Sequence, residues 1–591
     1  MIQFYPGSRH YQNTTMKISV LSSILAALSV RGAQAQNATN PNCTALSSNN
    51  TYDYIVIGSG AGGIPVADRL SEAGHSVLLI EKGPPSSGRW NGTMKPAWLE
   101  GTNLTRFDVP GLFNQIWVDP IGVACEDLDV MAGCVLGGGV AVNSALWWKP
   151  HPSDWDVNFP LGWKTSDMQR HVDKVWERIP GTYTPSQDGR LYLQQGFDTV
   201  SKGLEAAGFK YIVPNDHPDQ KNHTFGHSTF FIENAERHGP LATYLVTAAK
   251  RKNFHLWTNT NARRLIRTGG HVTGVELECP KGGSVGPGYS GRVNVTPGSG
   301  RVILSAGTFG SAKLLMRSGI GPADQLRIVN NSATDGPTMI SSDQWINLPV
   351  GYNLNDHVGT DIQVAHPDIV FYDFYGAWDK PIAKDTEAYL ANRTGILAQV
   401  APNLGPMFWQ QIQGSDGIVR HIQWQARVEG RTNTTMTITQ YIGTGTTSRG
   451  RMAITPALTT RVSIAPYLRD AHDKETVVQG IEYIRGVLGQ IQNLTWIEPK
   501  FNQTTTAFVN SIPATPGSRG SNHWTGSCTI GPDDGRAGGK AVVDLDTKVY
   551  GTDNLFVVDA SIFPGMMTGN PSGMIVSVAE RAAERILALK T

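Results

Sequence analysis

Apolar positions near the start of the chain follow the order strand, loop, helix, strand. The short apolar run 54–57 is followed directly by a glycine-rich loop, 58–63. Residues 64–73 then place apolar side chains at helical spacing, and a second apolar run, 77–80, ends at Glu81. Two buried strands joined by a helix predict a parallel sheet, because such a crossover returns the chain in the same direction.

Similar patterns recur further along the chain. The predicted strand 301–305 precedes an apolar helix that continues through Met316, and the predicted strand 554–559 precedes a long helix, 573–589. The middle, roughly 321–519, is richer in Trp, Tyr, Asn and Thr and alternates polar with apolar residues. Alternation of this kind predicts a mainly antiparallel sheet.

These patterns predict an α/β fold with two domains, since 591 residues exceed what one hydrophobic core supports. One domain is expected to be Rossmann-like and discontinuous, and the other to be a substrate domain built on the mainly antiparallel sheet. The Rossmann-like domain is assigned to 52–145, 230–320 and 520–591, and the substrate domain to 146–229 and 321–519.

The N-terminal region has the pattern of a secretory signal. Residues 1–35 contain a lysine at position 17, an apolar run, 18–30, and a small-x-small site that ends at Ala35. A mis-assigned start codon, with Met16 as the true start, accounts best for the residues before it. The Asn/Ser/Thr-rich segment 36–51 predicts a disordered lead-in. No other segment has the length and apolar character of a membrane span.

Sequons for N-glycosylation are numerous, although some arise by chance. They fit a glycosylated protein that is secreted to the extracellular space. They stand at Asn37, Asn42, Asn49, Asn91, Asn103, Asn222, Asn294, Asn330, Asn392, Asn433, Asn493 and Asn502.

Charge and cysteine content limit the partners and the compartment that the sequence allows. The chain has 50 basic and 49 acidic residues and no basic block, so no nucleic-acid partner is expected. Cys125 and Cys134 are close enough to close a small loop in an oxidising compartment, and we expect a disulfide there. The sequence leaves Cys43, Cys279 and Cys528 unassigned, and buried free thiols are the simplest interpretation of them. No metal site is expected.

The loop 58–63 carries the strongest chemical signal. Gly58, Gly60 and Gly63 fit G-x-G-x-x-G, in which glycines allow a tight turn, close approach to a pyrophosphate and close helix packing. Glu81 stands where a carboxylate meets a ribose hydroxyl. The motif alone does not separate FAD from NAD, and an ordinary glycine turn is the alternative. A single such loop in a secreted protein favours tightly held FAD.

Two other sets of residues are ambiguous by themselves. The glycine-rich segment 133–143 implies backbone packed against something flat or anionic, or a β-bulge. The segments 521–526 and 559–571 place His523 and Asn570 on either side of the strand 554–559, which could bring them together. A lone histidine is more often structural than catalytic.

Taken together, these segments resemble the glucose-methanol-choline (GMC) oxidoreductase family, and the resemblance spans 52–591. The additional matches are 305–307, 318–321 and 348–357. Within the family the chain is most similar to the flavin domain of cellobiose dehydrogenase, through segments such as 107–113, 238–245 and 344–351. The lead-in 36–51 leaves no room for the haem domain that normally accompanies that domain.

The resemblance implies roles for individual residues. His523 would be the general base for the substrate hydroxyl, and Asn570 would orient the same hydroxyl. Gly138 and Asn143 would lie along the flavin, and Asp559 and Ala560 would bind the cofactor. The positions that would contact the sugar are Arg427, for which a surface arginine is the alternative, Ser521 and Asn522. The segment 137–143 lacks the histidine for a covalent flavin link, so dissociable FAD is expected.

The expected activity is that of a secreted FAD-dependent sugar dehydrogenase. It would oxidise the anomeric carbon of cellobiose or a related oligosaccharide to a lactone and pass electrons to a quinone, a radical or a redox protein. One alternative is a GMC oxidase or dehydrogenase that acts on glucose, aryl alcohols or other primary alcohols. A flavoprotein kept for binding or storage is the other, and the presence of both His523 and Asn570 argues against it.

Overall fold

The computed structural model describes residues 43–47, 50–280 and 286–590. The strands, β1 to β21 in chain order, are Cys43–Ala45, Thr51–Tyr52, Tyr54–Ile57, Val77–Ile80, Lys210–Tyr211, Thr224–Gly226, Ile232–Glu233, Glu236–Arg237, Phe254–Trp257, Asn261–Thr268, His271–Glu278, Gly288–Val295, Arg301–Leu304, Val358–Ala365, Met407–Gln413, Val419–Arg427, Thr435–Ile442, Arg451–Ile454, Thr460–Ile464, Thr495–Glu498 and Leu555–Val557. The helices, α1 to α13, are Gly63–Glu72, Gly139–Val142, Pro152–Asp156, Thr165–Arg178, Gln195–Ala206, Tyr244–Ala249, Gly307–Arg317, Ala323–Asn330, Ala383–Asn392, Ala471–Leu488, Thr505–Ser511, Pro516–Arg519 and Ser572–Ala588.

A five-stranded parallel sheet in the order β21–β13–β3–β4–β9 forms the first core. All four residues of β3, β4 and β13 are buried, as expected of strands covered on both faces. Ile57, Ile80 and Leu304 share one register line, so their strands end at the same edge. The predicted Rossmann-like architecture is confirmed.

A seven-stranded sheet in the order β20–β14–β17–β16–β15–β6–β5 forms the second core. Its pairs are antiparallel except β5 with β6. Helix α10 packs on one face, where a Cβ added at Gly480 would lie 2.3 Å from Gln440 Nε2 and 2.9 Å from Ile422 Cδ1. The mainly antiparallel substrate domain is therefore confirmed as a fold class.

The expectation of a disordered lead-in at 36–51 is wrong for the part that the structure describes. β1 and β2 both pair in parallel with β12 and extend the antiparallel sheet of β10, β11 and β12. A disulfide joins Cys43 to Cys279, which follows β11. The polar composition of this segment hides its order, because the order comes from pairing with a distant strand and from a distant cysteine.

The cysteine predictions are therefore half right. Cys125 and Cys134 form the expected disulfide. Cys43 and Cys279 are bonded to each other rather than free, whereas Cys528 is free and buried. The interpretation of Cys43 and Cys279 fails because pairing across 236 residues leaves no local spacing signal.

Some predictions fall outside the described residues. These are the signal region 1–35 with Met16, and the sequons at Asn37, Asn42 and Asn49. Across 43–47, 50–280 and 286–590, no helix has both the length and the apolar character that a membrane crossing requires.

Candidate active site

The three motif glycines in the loop between β3 and α1 differ in the atoms that an added Cβ would contact. Gly58 has φ +102°, and an added Cβ would lie 2.3 Å from the Ser305 carbonyl oxygen. A Cβ at Gly63 would lie 1.9 Å from the Gly58 carbonyl oxygen. At Gly60 an added Cβ would meet no atom of the described residues within 4 Å. The fold itself therefore requires glycine at Gly58 and Gly63, whereas Gly60 has open space beside its Cα.

Glu81, at the end of β4, is tied to the same loop. One carboxylate oxygen accepts hydrogen bonds from Ser59 N at 3.1 Å and Ser59 Oγ at 2.6 Å, and the other accepts from Gly83 N at 2.9 Å. Burial raises the pKa of Glu81, although these three donors favour its ionised form. Glu81 thus orders the loop and stands at the carboxyl edge of the sheet, where dinucleotides bind in this kind of fold.

Asp559 has the same role at the end of β21. Its carboxylate accepts from Ser561 N at 2.8 Å, Gly307 N at 2.9 Å and Ser311 Oγ at 2.5 Å. It therefore ties the end of β21 to the first turn of α7, and burial raises its pKa. Ala560 follows it and is buried.

The segment with Gly138 and Asn143 lies against the glycine loop. A Cβ at Gly138 would lie 3.3 Å from Gly60 Cα. Asn143 Nδ2 donates to Ser572 Oγ at 2.9 Å, and Asn143 Oδ1 accepts from Arg237 Nη1 at 3.0 Å. The two glycine segments are thus brought together beside the start of α13.

This arrangement fits a bound dinucleotide. Gly60, Gly139 and Gly307 each have room for an added Cβ with no protein atom within 4 Å. Within the described chain, no side chain caps the start of α1. Free N–H groups and the positive end of a helix suit a pyrophosphate. The residues that would hold FAD are therefore the predicted ones, with Gly307 in addition.

His523 and Asn570 meet, as the resemblance implies. His523 Nε2 lies 3.1 Å from Asn570 Nδ2, and His523 Nδ1 lies 3.0 Å from His357 Nδ1. Burial and the nearby His357 hold the pKa of His523 well below its usual value. Its imidazole is therefore neutral near pH 7, the form in which a general base accepts a proton.

Asn570 is held in one orientation by two donors. Its Oδ1 accepts from Trp148 Nε1 at 2.9 Å and from Gln423 Nε2 at 2.9 Å. Both acceptor positions of the amide oxygen are thus used, and the NH2 group faces His523. Asn570 consequently presents a donor beside the basic nitrogen.

Asp356 fixes the main chain around His523. Its carboxylate accepts from Ser521 Oγ at 2.6 Å, Ser521 N at 2.9 Å, His523 N at 2.7 Å and Tyr467 Oη at 2.8 Å. Burial raises the pKa of Asp356 to about 6 despite these donors. Protonation of Asp356 therefore takes acceptor capacity away from the segment that carries His523.

A pH dependence follows from Asp356. We expect the rate of flavin reduction to fall as the pH is lowered through about 6, because neutral Asp356 holds His523 less firmly. Asp356→Asn should lower the plateau rate about tenfold, the cost of a hydrogen bond to a charged group, and abolish that fall. Anaerobic stopped-flow across this pH range measures both. The same fall in wild type and variant would show that another group titrates.

The three predicted sugar contacts differ in their surroundings. Ser521 donates its hydroxyl to Asp356, so it supports the loop instead of facing outward. Asn522 is half-buried in the left-handed region, with φ +60°. Arg427 ends β16 and lies 3.3 Å from the Asp361 carboxylate and 3.4 Å from that of Glu429, so it is not an isolated surface arginine. Ser521 lies two residues before His523, but its hydroxyl already donates to Asp356.

Four site residues were not singled out from the sequence. Asp356 and His357 fall within the matched stretch 348–357, and an adjacent Asp and His before a strand was the available signal. Gln423 and Tyr441 carry no signal of their own. They stand opposite each other on β16 and β17, and the Tyr441 ring centroid is 5.7 Å from that of His523.

Comparisons with known proteins identify the family to which the chain is similar. The family model described as GMC oxidoreductase matches residues 52–359 with its N-terminal part and 446–579 with its C-terminal part. An oxygen-dependent choline dehydrogenase from Brucella canis is 27% identical over 579 residues, covering 90% of this chain and 95% of its own. The enzyme so named from Vibrio vulnificus is 27% identical over 585 residues, covering 91% and 94%.

Solved structures share the fold. A formate oxidase variant from Aspergillus oryzae RIB40 has a TM-score of 0.72 at 17% identity and covers 92% of this chain and 99% of its own. A fungal aryl-alcohol oxidase has a TM-score of 0.67 at 18% identity and covers 91% and 99%. FAD is the cofactor of this class of enzyme, and Gly60 leaves space beside its Cα where the cofactor would lie. Because the family model matches more than half of the sequence, the chain belongs to the GMC oxidoreductase family.

Proposed function

We propose that this FAD-dependent oxidoreductase oxidises a CH–OH group of a neutral, polyhydroxylated substrate, with the anomeric carbon of cellobiose or a related oligosaccharide as the first candidate. Oxidation there would yield a lactone. The observation that carries the proposal is the polar sheet face beside His523. This face bears Arg427 between two carboxylates, together with the hydroxyl of Thr439 and the amides of Gln423 and Gln425.

The polar face lies next to the base. Tyr441 lies beside His523, and Thr439 is two residues away on the same side of β17. Thr439 donates to Asp361 at 2.5 Å and stands opposite it in the sheet. The charged cluster is thus about 7 Å along the strand from Tyr441. That distance suits a substrate longer than a simple alcohol.

Charge pairing in the cluster favours a neutral substrate. Arg427 contacts the carboxylates of both Asp361 and Glu429, and these neighbours raise its pKa. A carboxylate that is already paired with an arginine attracts a cationic substrate less than an unpaired carboxylate would. A sugar can instead accept hydrogen bonds from the guanidinium and donate to the carboxylates.

The chain's own groups would move one proton. His523 Nε2 would take the proton of the substrate hydroxyl, and Asn570 Nδ2 would donate to the same oxygen as negative charge develops. FAD, when bound, supplies the acceptor for the hydride that leaves the same carbon. We expect a quinone, a radical or a redox protein to take the electrons afterwards.

A second candidate is a primary or aryl alcohol. The Tyr441 ring beside His523 offers a flat apolar surface, and one structural neighbour is named as an aryl-alcohol oxidase. A substrate panel of cellobiose, glucose, choline and an aryl alcohol, mixed with the oxidised enzyme without oxygen, decides between them. Rapid flavin reduction by cellobiose is expected. Reduction by the aryl alcohol or choline alone would overturn the sugar proposal.

Arg427 offers a test of where the sugar binds. We expect Arg427→Ala to raise KM for cellobiose about tenfold, the value of one charged hydrogen bond, with the limiting rate of flavin reduction almost unchanged. Arg431→Ala is the matched control, since Arg431 is an exposed arginine paired with Glu498. An unchanged KM in Arg427→Ala would remove Arg427 from the binding site.

Secretion to the extracellular space is also proposed. Two disulfides support it, because such bonds persist in oxidising compartments. Among the described sequons the asparagine is exposed at Asn91, Asn103, Asn222, Asn330, Asn392, Asn433, Asn493 and Asn502, as a glycan requires, and half-buried at Asn294. A glycosidase-induced mass shift of protein from the culture medium tests the proposal. Protein retained in cells without glycans would refute it.

A further inference from the structure

We infer that His357 is a positioning residue that holds His523 in the tautomer with its proton on Nδ1 and its basic lone pair on Nε2. The inference rests on the proposed function in one respect, namely that His523 acts as the base. His357 precedes β14 and is buried, with 1% of its surface exposed, so it acts through His523 rather than on a substrate.

The Met567 carbonyl group determines which atoms donate in the hydrogen bonds of His357 and His523. His357 Nε2 lies 2.7 Å from the Met567 carbonyl oxygen, which can only accept, so His357 Nε2 carries a proton. Burial lowers the pKa of His357 to about 4, so the ring is neutral near pH 7. A neutral ring with its proton on Nε2 has a lone pair on Nδ1.

That lone pair faces His523. The two Nδ1 atoms are 3.0 Å apart, and since His357 Nδ1 can only accept, His523 Nδ1 must donate. A neutral His523 with its proton on Nδ1 then has its lone pair on Nε2. This is the nitrogen beside Asn570 and therefore the one that a substrate hydroxyl would approach.

The hydrogen bonds of Asn570, on the other side of the His523 ring, independently indicate the same tautomer of His523. Trp148 and Gln423 donate to Asn570 Oδ1, so the amide presents its NH2 group to His523 Nε2 at 3.1 Å. An NH2 group needs an acceptor there. The contacts of Met567 and of Trp148 thus require the same tautomer of His523.

The surroundings keep His357 in this position. A Cβ added at Gly443 would lie 2.1 Å from the Met567 carbonyl oxygen and 3.2 Å from His357 Nε2, so only glycine leaves room for this contact. The Tyr441 ring, 5.9 Å from that of His357, lies on another side. His357 is therefore fixed before any substrate arrives.

The pair also accounts for the charge that the reaction creates. When the substrate O–H bond breaks and its proton bonds to His523 Nε2, His523 becomes a cation with protons on both nitrogens. Its Nδ1–H still donates to the lone pair of His357 Nδ1, and that hydrogen bond strengthens because its donor is now charged. His357 thus stabilises the protonated base without exchanging atoms with the substrate.

Two variants separate this role from simple packing. In His357→Asn the amide oxygen can stand near the Nδ1 position and still accept from His523. In His357→Gln the amide reaches the Met567 carbonyl group but offers His523 no acceptor. We expect the asparagine variant to keep flavin reduction within about fivefold of wild type, and the glutamine variant to lose about 100-fold, with equal FAD content.

Nitrogen NMR of the oxidised enzyme without substrate reads the tautomer directly. With all 15 histidines labelled with ¹⁵N, the His523 signals are those lost in His523→Asn. We expect a protonated Nδ1 and an unprotonated Nε2 in wild type and in His357→Asn, and a shift toward protonated Nε2 in His357→Gln. Protonated Nε2 in wild type, or no shift in His357→Gln, would overturn the inference.

These readouts distinguish two kinds of failure. If no alcohol reduces the flavin although His523 has the expected tautomer, the proposed function fails and the positioning by His357 stands. If cellobiose reduces the flavin but both variants lose activity equally, the proposed function stands and His357 has only a packing role.

Discussion

Replacing His523 with alanine should lower the rate of flavin reduction about 1,000-fold, within the range for loss of a positioned general base. The expectation rests on three contacts of His523, which place its backbone on Asp356, its Nδ1 on His357 and its Nε2 beside Asn570. Alanine keeps the backbone contact with Asp356 and loses the base. Anaerobic stopped-flow with saturating substrate measures the loss, and FAD absorbance confirms that the cofactor is retained.

His472→Ala is the matched control for this experiment. The His472 side chain is 40% exposed beside Glu475 on α10, on the other side of the antiparallel sheet from the active site. Its loss should leave flavin reduction unchanged. A His523→Ala enzyme that holds FAD and reduces it within tenfold of wild type would exclude His523 as the base.

Gly60→Ala should weaken FAD binding about 100-fold, or about 3 kcal/mol, while the stability of the FAD-free protein stays the same. The reason is geometric. An added methyl group at Gly60 meets no protein atom within 4 Å, so nothing in the protein opposes it. The glycine at this motif position serves to let the backbone approach the pyrophosphate, and a methyl group would stand between them. Titration of the FAD-free protein with FAD measures affinity, and thermal unfolding of the same sample measures stability.

Two other glycines make this result interpretable. In α10, Gly486 also has no atom within 4 Å of an added Cβ, so Gly486→Ala should leave FAD affinity unchanged. Gly63→Ala should destabilise the FAD-free protein itself, because its Cβ would lie 1.9 Å from the Gly58 carbonyl oxygen. Unchanged FAD affinity in Gly60→Ala would mean that the pyrophosphate binds elsewhere.

The sequence predicts the parts of the fold that local patterns encode. The runs at β3, β4 and β21 are apolar throughout, and β13 is apolar after Arg301, because both faces of a parallel sheet are covered. Alternation in β17 correctly indicates the antiparallel sheet. The pairing of β1 with β12 has no local signal, since it depends on a strand and a cysteine more than 200 residues away.

The site residues likewise fall into those that a local sequence pattern predicts and those that no local pattern predicts. Gly58, Gly63 and Glu81 belong to one continuous motif whose spacing follows from its backbone geometry. The contact between His357 and His523 joins residues 166 apart, and nothing in either segment indicates the other. Family resemblance brought His523 and Asn570 together, but resemblance alone did not reveal which hydrogen bonds surround them.

The position of β21 has a consequence for biosynthesis. His523 precedes this strand, whereas Asp559 and Asn570 follow it. The ribosome therefore completes the glycine loop early and releases His523, Asp559 and Asn570 near the end of translation. A nascent chain can begin to fold around β3 and β4 long before it has the groups for catalysis.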